Sequence, residues 1–409
     1  MFSNPNENDY VMIETRLFFY RSYMKRKGIL LLIIIYISFI ALGLPDALLG
    51  SSWNLVRVDL STSLGTLGIM TVIVYIMSIL STFNAPRLLR FLQTRKIVFV
   101  SIVFTGISLI VMSRVDTFYQ MLFFAIPLGM GAGAIDVSLN HYLAVNYKAQ
   151  HMNYLHSFYG IGVTLGPTIM AFTLRENSWR LGYVIVGSIL LVISVIILFS
   201  FPMWKNETEE EREDQHTHIT LKEILKTKGS VLSILIFLFY VHIESLGGVW
   251  IASYFFIEKN VSYATAALFT TAFFLMFTLG RLLSGVLSIK VNPNTLIKIG
   301  EVFMLCAGLL MLIQTSSLWF YFAIVGLFGL GAAPIYPNMM FMNSKNFEKR
   351  KLSKMMSLQM AIGYMGFGLL TPLAGLIFDL TTISIYPYFI IGVGVILIFL
   401  TRMFMKKIA

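Results

Sequence analysis

The chain has 409 residues, 57% of them hydrophobic and only 12% charged, with a formal charge of +11 and a mean hydropathy of +0.78. No soluble globular domain has that balance. The positive charge does not indicate a nucleic-acid partner, because the basic residues sit in short loops between apolar runs.

Residues 1–27 are polar and basic and read as a cytoplasmic N-terminal segment. The apolar run that follows starts too late and is too long for a cleaved signal peptide. Further runs of about twenty apolar residues, the length a helix needs to cross a bilayer, fall near 28–50, 64–84, 97–113, 118–145, 152–174 and 180–201. A second set falls near 230–257, 263–289, 295–314, 318–342, 355–379 and 385–405. Transmembrane strands would be shorter and alternating. The pattern therefore predicts an all-α membrane protein of twelve spans in two six-helix bundles, 28–201 and 230–405. Between them, 202–229 carries "NETEEEREDQ" and reads as a solvated cytoplasmic linker, with an amphipathic helix at "ITLKEILK". Residues 406–409 form a tail.

Lys and Arg set the orientation. With the N-terminus inside, the outer side keeps only Arg57, Arg114, Arg175, Arg180 and Lys259 of the 31 basic residues. Both termini are then cytoplasmic, and the expected place is a plasma membrane, multi-pass, in a bacterial cell. The one cysteine, Cys306, excludes a disulfide within the chain and reads as packing.

The halves echo each other. "GMGAGAIDVSLN" from Gly129 aligns without a gap to "GLGAAPIYPN" from Gly329, pairing Gly131 with Gly331 and Ile135 with Ile335. Asp46 precedes Gly50 as Glu244 precedes Gly248, and "GIGVTLGP" in the fifth run has "GFGLLTP" in the eleventh. Related six-helix halves are the parallel-repeat plan of a transporter that rocks around a central site.

Charges inside the membrane are the candidate chemistry. An acid at mid-membrane costs about 2.5–3.5 kcal/mol to insert and tends to mark an ion or proton pathway. Asp136 shares a helix stripe with Gly129, Gly133 and Asn140. Asp46 follows Pro45, which frees a backbone carbonyl one turn earlier and favours a broken helix. Glu244 lies mid-run, with His242 on a different face. These three acids are the candidates for proton coupling; the alternative for each is a structural hydrogen bond or solvation near a helix end. Glu301 and Asp379, near helix ends, read as packed or solvated. Asn140, Asn153, His156, Tyr159, Trp250, Tyr336, Asn338 and Gln359 are the candidates for holding substrate, since amides and aromatic planes suit a sugar's hydroxyls and apolar face. The competing reading for each ring is ordinary packing.

Basic loops after the second and eighth runs, the central linker and the two related halves resemble the major facilitator superfamily. "GAGAIDVSLNHY", "HMNYLHSFYGIGVTLGP", "FYVHIESLGGVWIASYF", "GRLLSG" and "GLGAAPIYPN" are most similar to the fucose:proton symporters and their sodium-dependent glucose transporter-like relatives. That resemblance implies acids in the first and fourth helices at a proton or sugar site, and a cytoplasmic gate at Arg90, Arg95 and Arg281. The loop "NAPRLLRFLQTRK" departs from the superfamily pattern, lacking its Asp-Arg pair and its glycines, which shifts expectation for the gate toward Arg281.

Together these imply a proton-coupled symporter of a small polar solute, foremost a sugar, with sodium as the alternative ion. A proton taken up by a carboxyl would remove the charge whose burial opposes the switch between outward and inward states. An exporter of lipophilic compounds or lipids, and a membrane sensor that does not transport, remain open alternatives. No nucleotide-binding loop, metal-ligand spacing or nucleophile motif is present in the sequence. The expectation is no enzyme, no cofactor, no metal and a monomer in the lipid bilayer.

Overall fold

The computed structural model describes residues 27–147, 150–205 and 220–408. The polar N-terminal segment and most of the acidic linker lie outside the described residues. Among those described, twelve helices are long and apolar enough to cross a membrane. They are α1 (Lys27–Asp59), α2 (Thr66–Ala85), α3 (Thr94–Met112), α4 (Phe118–Leu143), α5 (Tyr154–Arg175) and α6 (Trp179–Met203), then α7 (Ser230–Glu258), α8 (Tyr263–Leu287), α9 (Pro293–Leu310), α10 (Leu318–Asn346), α11 (Leu358–Leu380) and α12 (Ile383–Ile408).

Helix starts carry ordinary caps. Thr117 and Gln120 form a capping box ahead of α4, and Ser178, Ser262 and Ser317 accept from amides in the first turns of α6, α8 and α10. In the linker, the amphipathic stretch forms a short helix, Leu221–Lys226, capped by Thr220 and burying Ile224. Gly229, at φ 86°, turns the chain from there into α7.

Three spans are broken where transport folds commonly need irregular backbone. α1 unwinds over 44–47, at the Pro45 step, and resumes as Leu48–Asp59. It runs nine residues past the sequence-based limit because Trp53 is fully buried and its indole N–H donates to the Leu64 carbonyl at 3.0 Å. α7 carries a π turn at Leu246–Trp250 and α11 another at Gly366–Leu370.

The repeat has a packing basis. Gly129 and Gly133 of α4 abut backbone carbonyls of α2, and Gly131 abuts Ser101 and Thr105 of α3. In the second half Gly329 of α10 abuts α8, and Gly331 abuts Gly300 and Met304 of α9. Likewise Gly162 and Gly166 of α5 press on α1 as Gly366 of α11 presses on α7. Such small-residue contacts let backbones approach closely where lipid offers no hydrophobic drive. The stripe that Gly129 and Gly133 share with Asp136 is thus first a packing face, on α2.

The halves meet along α5 with α8, α1 with α7 and α2 with α11. At the end of the bundle opposite the linker they touch directly. Gly50 lies on Gly248 and Val249, Gly68 on Pro372, and the Ser63 hydroxyl donates to Asp379 Oδ2 at 2.6 Å. Asp379, expected to be packed or solvated, is engaged by the other half. Deeper along the same interface, Gly160 abuts Thr278, and Thr168 bonds Thr271 at 3.3 Å.

Candidate functional site

A cavity of about 160 Å³ lies where the two halves face each other. The three acids picked out as membrane anomalies all line it, each from a different helix: Asp46 at the break of α1, Asp136 on α4 and Glu244 on α7. Their surroundings differ, and the differences are geometric.

Asp46 presents its carboxylate to the open space, and Tyr159 of α5 donates to Oδ2 at 2.6 Å. It also borders a smaller space of about 30 Å³ toward the end opposite the linker, with Gly50, Thr71 and Val249. Asp46 therefore stands between the main cavity and that end. Asp136 is half-buried. Its Oδ1 accepts from Asn140 Nδ2 at 2.8 Å, and its Oδ2 from the Tyr364 hydroxyl of α11 at 3.2 Å. The first bond stays within α4; the second crosses from one half to the other. Glu244 is 8% exposed and sits 3.6 Å from Arg281 Nη2 of α8.

Arg281 was expected at a cytoplasmic gate. It lines the cavity, where it donates to the Tyr240 hydroxyl at 3.0 Å. Its guanidinium also lies over the Phe277 ring at 4.1 Å and near Tyr336 at 5.7 Å. Rings hold the charge in place and Glu244 compensates it. Its Nε has no partner among the described residues. Arg95, the second gate candidate, donates to the Phe201 carbonyl at 2.7 Å, inside its own half. The Arg90 side chain, like that of Asn153, lies outside the described residues.

Of the substrate candidates, His156, Tyr159 and Tyr336 line the cavity. Asn140 braces Asp136 instead of facing the space, bonding its carboxylate and its backbone carbonyl. Trp250 is fully buried, edge-on to Phe378, with its N–H donated to the Thr371 carbonyl. Asn338 is turned away into bonds with Ser284 and Pro334. Gln359 closes a buried triangle with Ser233 and Asn343 that ties α7, α10 and α11 together. For these three, neighbouring side chains have taken up the polar groups that sequence reasoning assigned to a solute.

Sequence reasoning also missed two rings. Tyr75 of α2 stacks on Phe367 at 4.7 Å, and Tyr364 bonds Asp136; both line the cavity. Tyr364 stands two residues before the Gly366 turn in α11, a signal that could have found it. The site as a whole offers three carboxylates, one guanidinium, a histidine and four tyrosines against apolar walls that include Phe39, Leu42, Val74 and Phe237. Such a set can grip a hydroxyl-bearing or cationic solute and exchange protons with water.

The family model described as Major Facilitator Superfamily matches residues 31–258 and 232–408. A curated yeast protein from Saccharomyces cerevisiae, "Bypass of stop codon protein 6", is 23% identical over 308 residues, covering 66% of this chain and 61% of its own length. This chain thus spans under two thirds of that relative. Among solved structures, the nucleoside transporter NupG aligns at TM-score 0.73 and 12% identity, over 94% of this chain and 99% of that one. A bacterial homologue of the human lysosomal transporter Spinster, in an inward-facing and occupied conformation, aligns at 0.70 and 13% identity, over 95% and 97%. At these identities the solved structures speak to the fold alone.

Proposed function

The chain belongs to the Major Facilitator Superfamily, a family of secondary transporters and not of enzymes, and on that premise we propose that it carries a small polar solute, foremost a sugar, by proton-coupled alternating access. The observation that supports this best is the convergence of Asp46, Asp136 and Glu244 with Tyr75, Tyr159, Tyr336 and Tyr364 on one cavity between the halves. Sugars offer vicinal hydroxyls that carboxylates accept from, and apolar ring faces that stack on aromatic planes. Carboxylates in such a cavity also bind protons, and a proton neutralises the charge that would otherwise have to be carried through the closed state. Glu244 is already compensated by Arg281, so Asp46 and Asp136 are the coupling groups. Sodium is the second candidate for the coupling ion.

The excess of Lys and Arg at the linker end supports a cytoplasmic location for that end and for both termini. The plasma membrane is the proposed location. The contacts among Gly50, Gly248, Ser63 and Asp379 then close the outer side.

The test is uptake into proteoliposomes under an imposed pH gradient, with a panel of labelled monosaccharides. Nucleosides belong in the panel because they too carry a hydroxylated sugar ring. Uphill accumulation that collapses with the gradient supports the proposal. Asp136→Asn is expected to abolish accumulation and spare exchange; uphill uptake unchanged in that variant removes Asp136 from the mechanism. A second reading, export of lipophilic compounds, draws on the apolar share of the wall, with Phe39, Phe237 and Phe367 facing the space. Thermal stabilisation by a lipophile and by no sugar would favour it.

A further inference from the structure

We infer that Tyr364 is a positioning residue through which the second half of the molecule senses whether Asp136 carries a proton. The inference rests on the proton-coupled reading above. Asp136 belongs to α4 of the first half and Tyr364 to α11 of the second, and their 3.2 Å hydrogen bond spans the cavity between them. The other two acids are held within their own halves, Asp46 by Tyr159 and Glu244 by Arg281. Among the three cavity acids, Asp136 is thus the one whose charge state bears directly on the relative position of the halves; the other cross-half carboxylate, Asp379, bonds Ser63 outside the cavity, at the end opposite the linker, and is kept in every variant below.

The direction follows from hydrogen-bond chemistry. An ionised carboxylate is a stronger acceptor for a phenol than a protonated one, by roughly twofold in bond strength. Ionised Asp136 therefore favours the arrangement seen here, with the end opposite the linker closed. A proton on Asp136 weakens the bond and lets α11 move away. Asn140 holds the other carboxylate oxygen from within α4, so Asp136 stays in place while its partner across the gap is released. α11 is suited to move, because the Gly366–Leu370 π turn begins two residues beyond Tyr364. Gly366 there packs on α7 with no room for a side chain.

Other groups around Asp136 also titrate or carry charge. They are Asp46 on α1, Tyr75 on α2, His156 on α5, Tyr336 on α10, and the Glu244–Arg281 pair on α7 and α8. A pH effect alone would not single out Tyr364, so the experiment compares variants that keep all of these.

The full chain, with Cys306→Ser, takes spin labels at Glu176 and Ser316, exposed loop residues of the two halves at the end opposite the linker. Distances are measured from about pH 5 to about pH 8, and proton uptake is followed in parallel with an indicator dye. In the parent protein, the ratio of closed to open populations is expected to fall about fivefold to tenfold on acidification. Tyr364→Phe removes one oxygen at nearly constant volume. It should lower the closed population at alkaline pH and reduce the pH response to under about twofold. Asp136→Asn should show the acid-type distribution at every pH.

A Tyr364→Phe protein that follows the parent curve overturns the inference, while proton uptake missing in Asp136→Asn would leave the coupling proposal standing. A parent protein whose proton uptake is unchanged by Asp136→Asn, and whose distances ignore pH, brings down both. If Tyr364→Phe does not fold, Asp136→Asn decides alone: a distribution like that of the parent at alkaline pH overturns the inference.

Discussion

Replacing Arg281 by Gln tests whether the cavity cation is held as compensation for Glu244 or as a free anchor for solute. At 3.6 Å and an effective dielectric of about 20, two unit charges attract by roughly 4–5 kcal/mol. The side chains keep 16% and 10% of their exposure, and water in the cavity screens them further, so roughly 1–3 kcal/mol should remain. Arg281→Gln strands the Glu244 carboxylate and removes the ring contacts with Phe277 and Tyr336. The single variant should lose about 2–3 kcal/mol in denaturant unfolding of the purified protein. Glu244→Gln alone should lose less, because Arg281 keeps Tyr240 and the rings. The double variant should recover at least about 1 kcal/mol relative to the sum of the singles. Additive losses, with no coupling between the sites, would refute the compensation argument and reopen Arg281 as a substrate anchor.

Gln359→Leu breaks the buried triangle with Ser233 and Asn343 and should cost about 1–3 kcal/mol, measured by the same unfolding, since Asn343 Nδ2 loses its acceptor while Ser233 keeps its bond to Asn343. Gly133→Val forces a side chain into the Ser78 carbonyl of α2 and should lower folded yield sharply in size-exclusion profiles. Gly285→Ala, which meets nothing within 4 Å, should leave that yield unchanged. Asp379→Ala removes the acceptor for Ser63 across the halves and should raise labelling of cysteines introduced at the end opposite the linker. Unchanged labelling there would show that the glycine contacts alone hold that end closed.

Much of the scaffold is written in the sequence because membrane physics leaves few choices. A span must be apolar for about twenty residues, and twelve such runs became twelve helices. The glycine register of the fourth and tenth runs became equivalent packing on the second and third helices of each half. The acids were legible for the opposite reason: a carboxylate in a span is costly, so its presence needs a cause. Tyrosine carries no such penalty. Tyr75 was missed because a ring facing a cavity and a ring facing lipid look alike in composition, and Tyr364 had only its place beside Gly366 to mark it. Trp250, Asn338 and Gln359 erred in the other direction. Whether a polar group serves a solute or a neighbouring helix depends on partners brought from distant sequence, such as Thr371 for Trp250 and Ser233 for Gln359. Arg281 was assigned to the cytoplasmic side although it falls within the 263–289 run; which way its guanidinium turns depends on partners from other helices, Tyr240 and Glu244 of α7 and Tyr336 of α10.

The unequal charge of the two halves follows from the same costs. The repeat preserves glycines, whose task of close approach is identical on both sides. It does not preserve Asp136, which Tyr336 replaces at the equivalent position. The second half contributes Glu244 and Arg281, a pair that nearly cancels, and the first contributes Asp46 and Asp136 with no Lys or Arg of its own among the cavity residues. With every acid ionised, closing the cavity would bury two uncompensated negative charges, at several kcal/mol each. Phenols soften this, from Tyr159 on Asp46 and from Tyr364 on Asp136, but hydrogen bonds to a carboxylate are worth only about 1.5–3 kcal/mol apiece. The remainder has to come from positive charge brought in with the cargo: protons, a sodium ion or a cationic group on the solute. On the proposed function, a carrier built this way closes poorly when empty of cations, and that cost would be the thermodynamic root of its coupling.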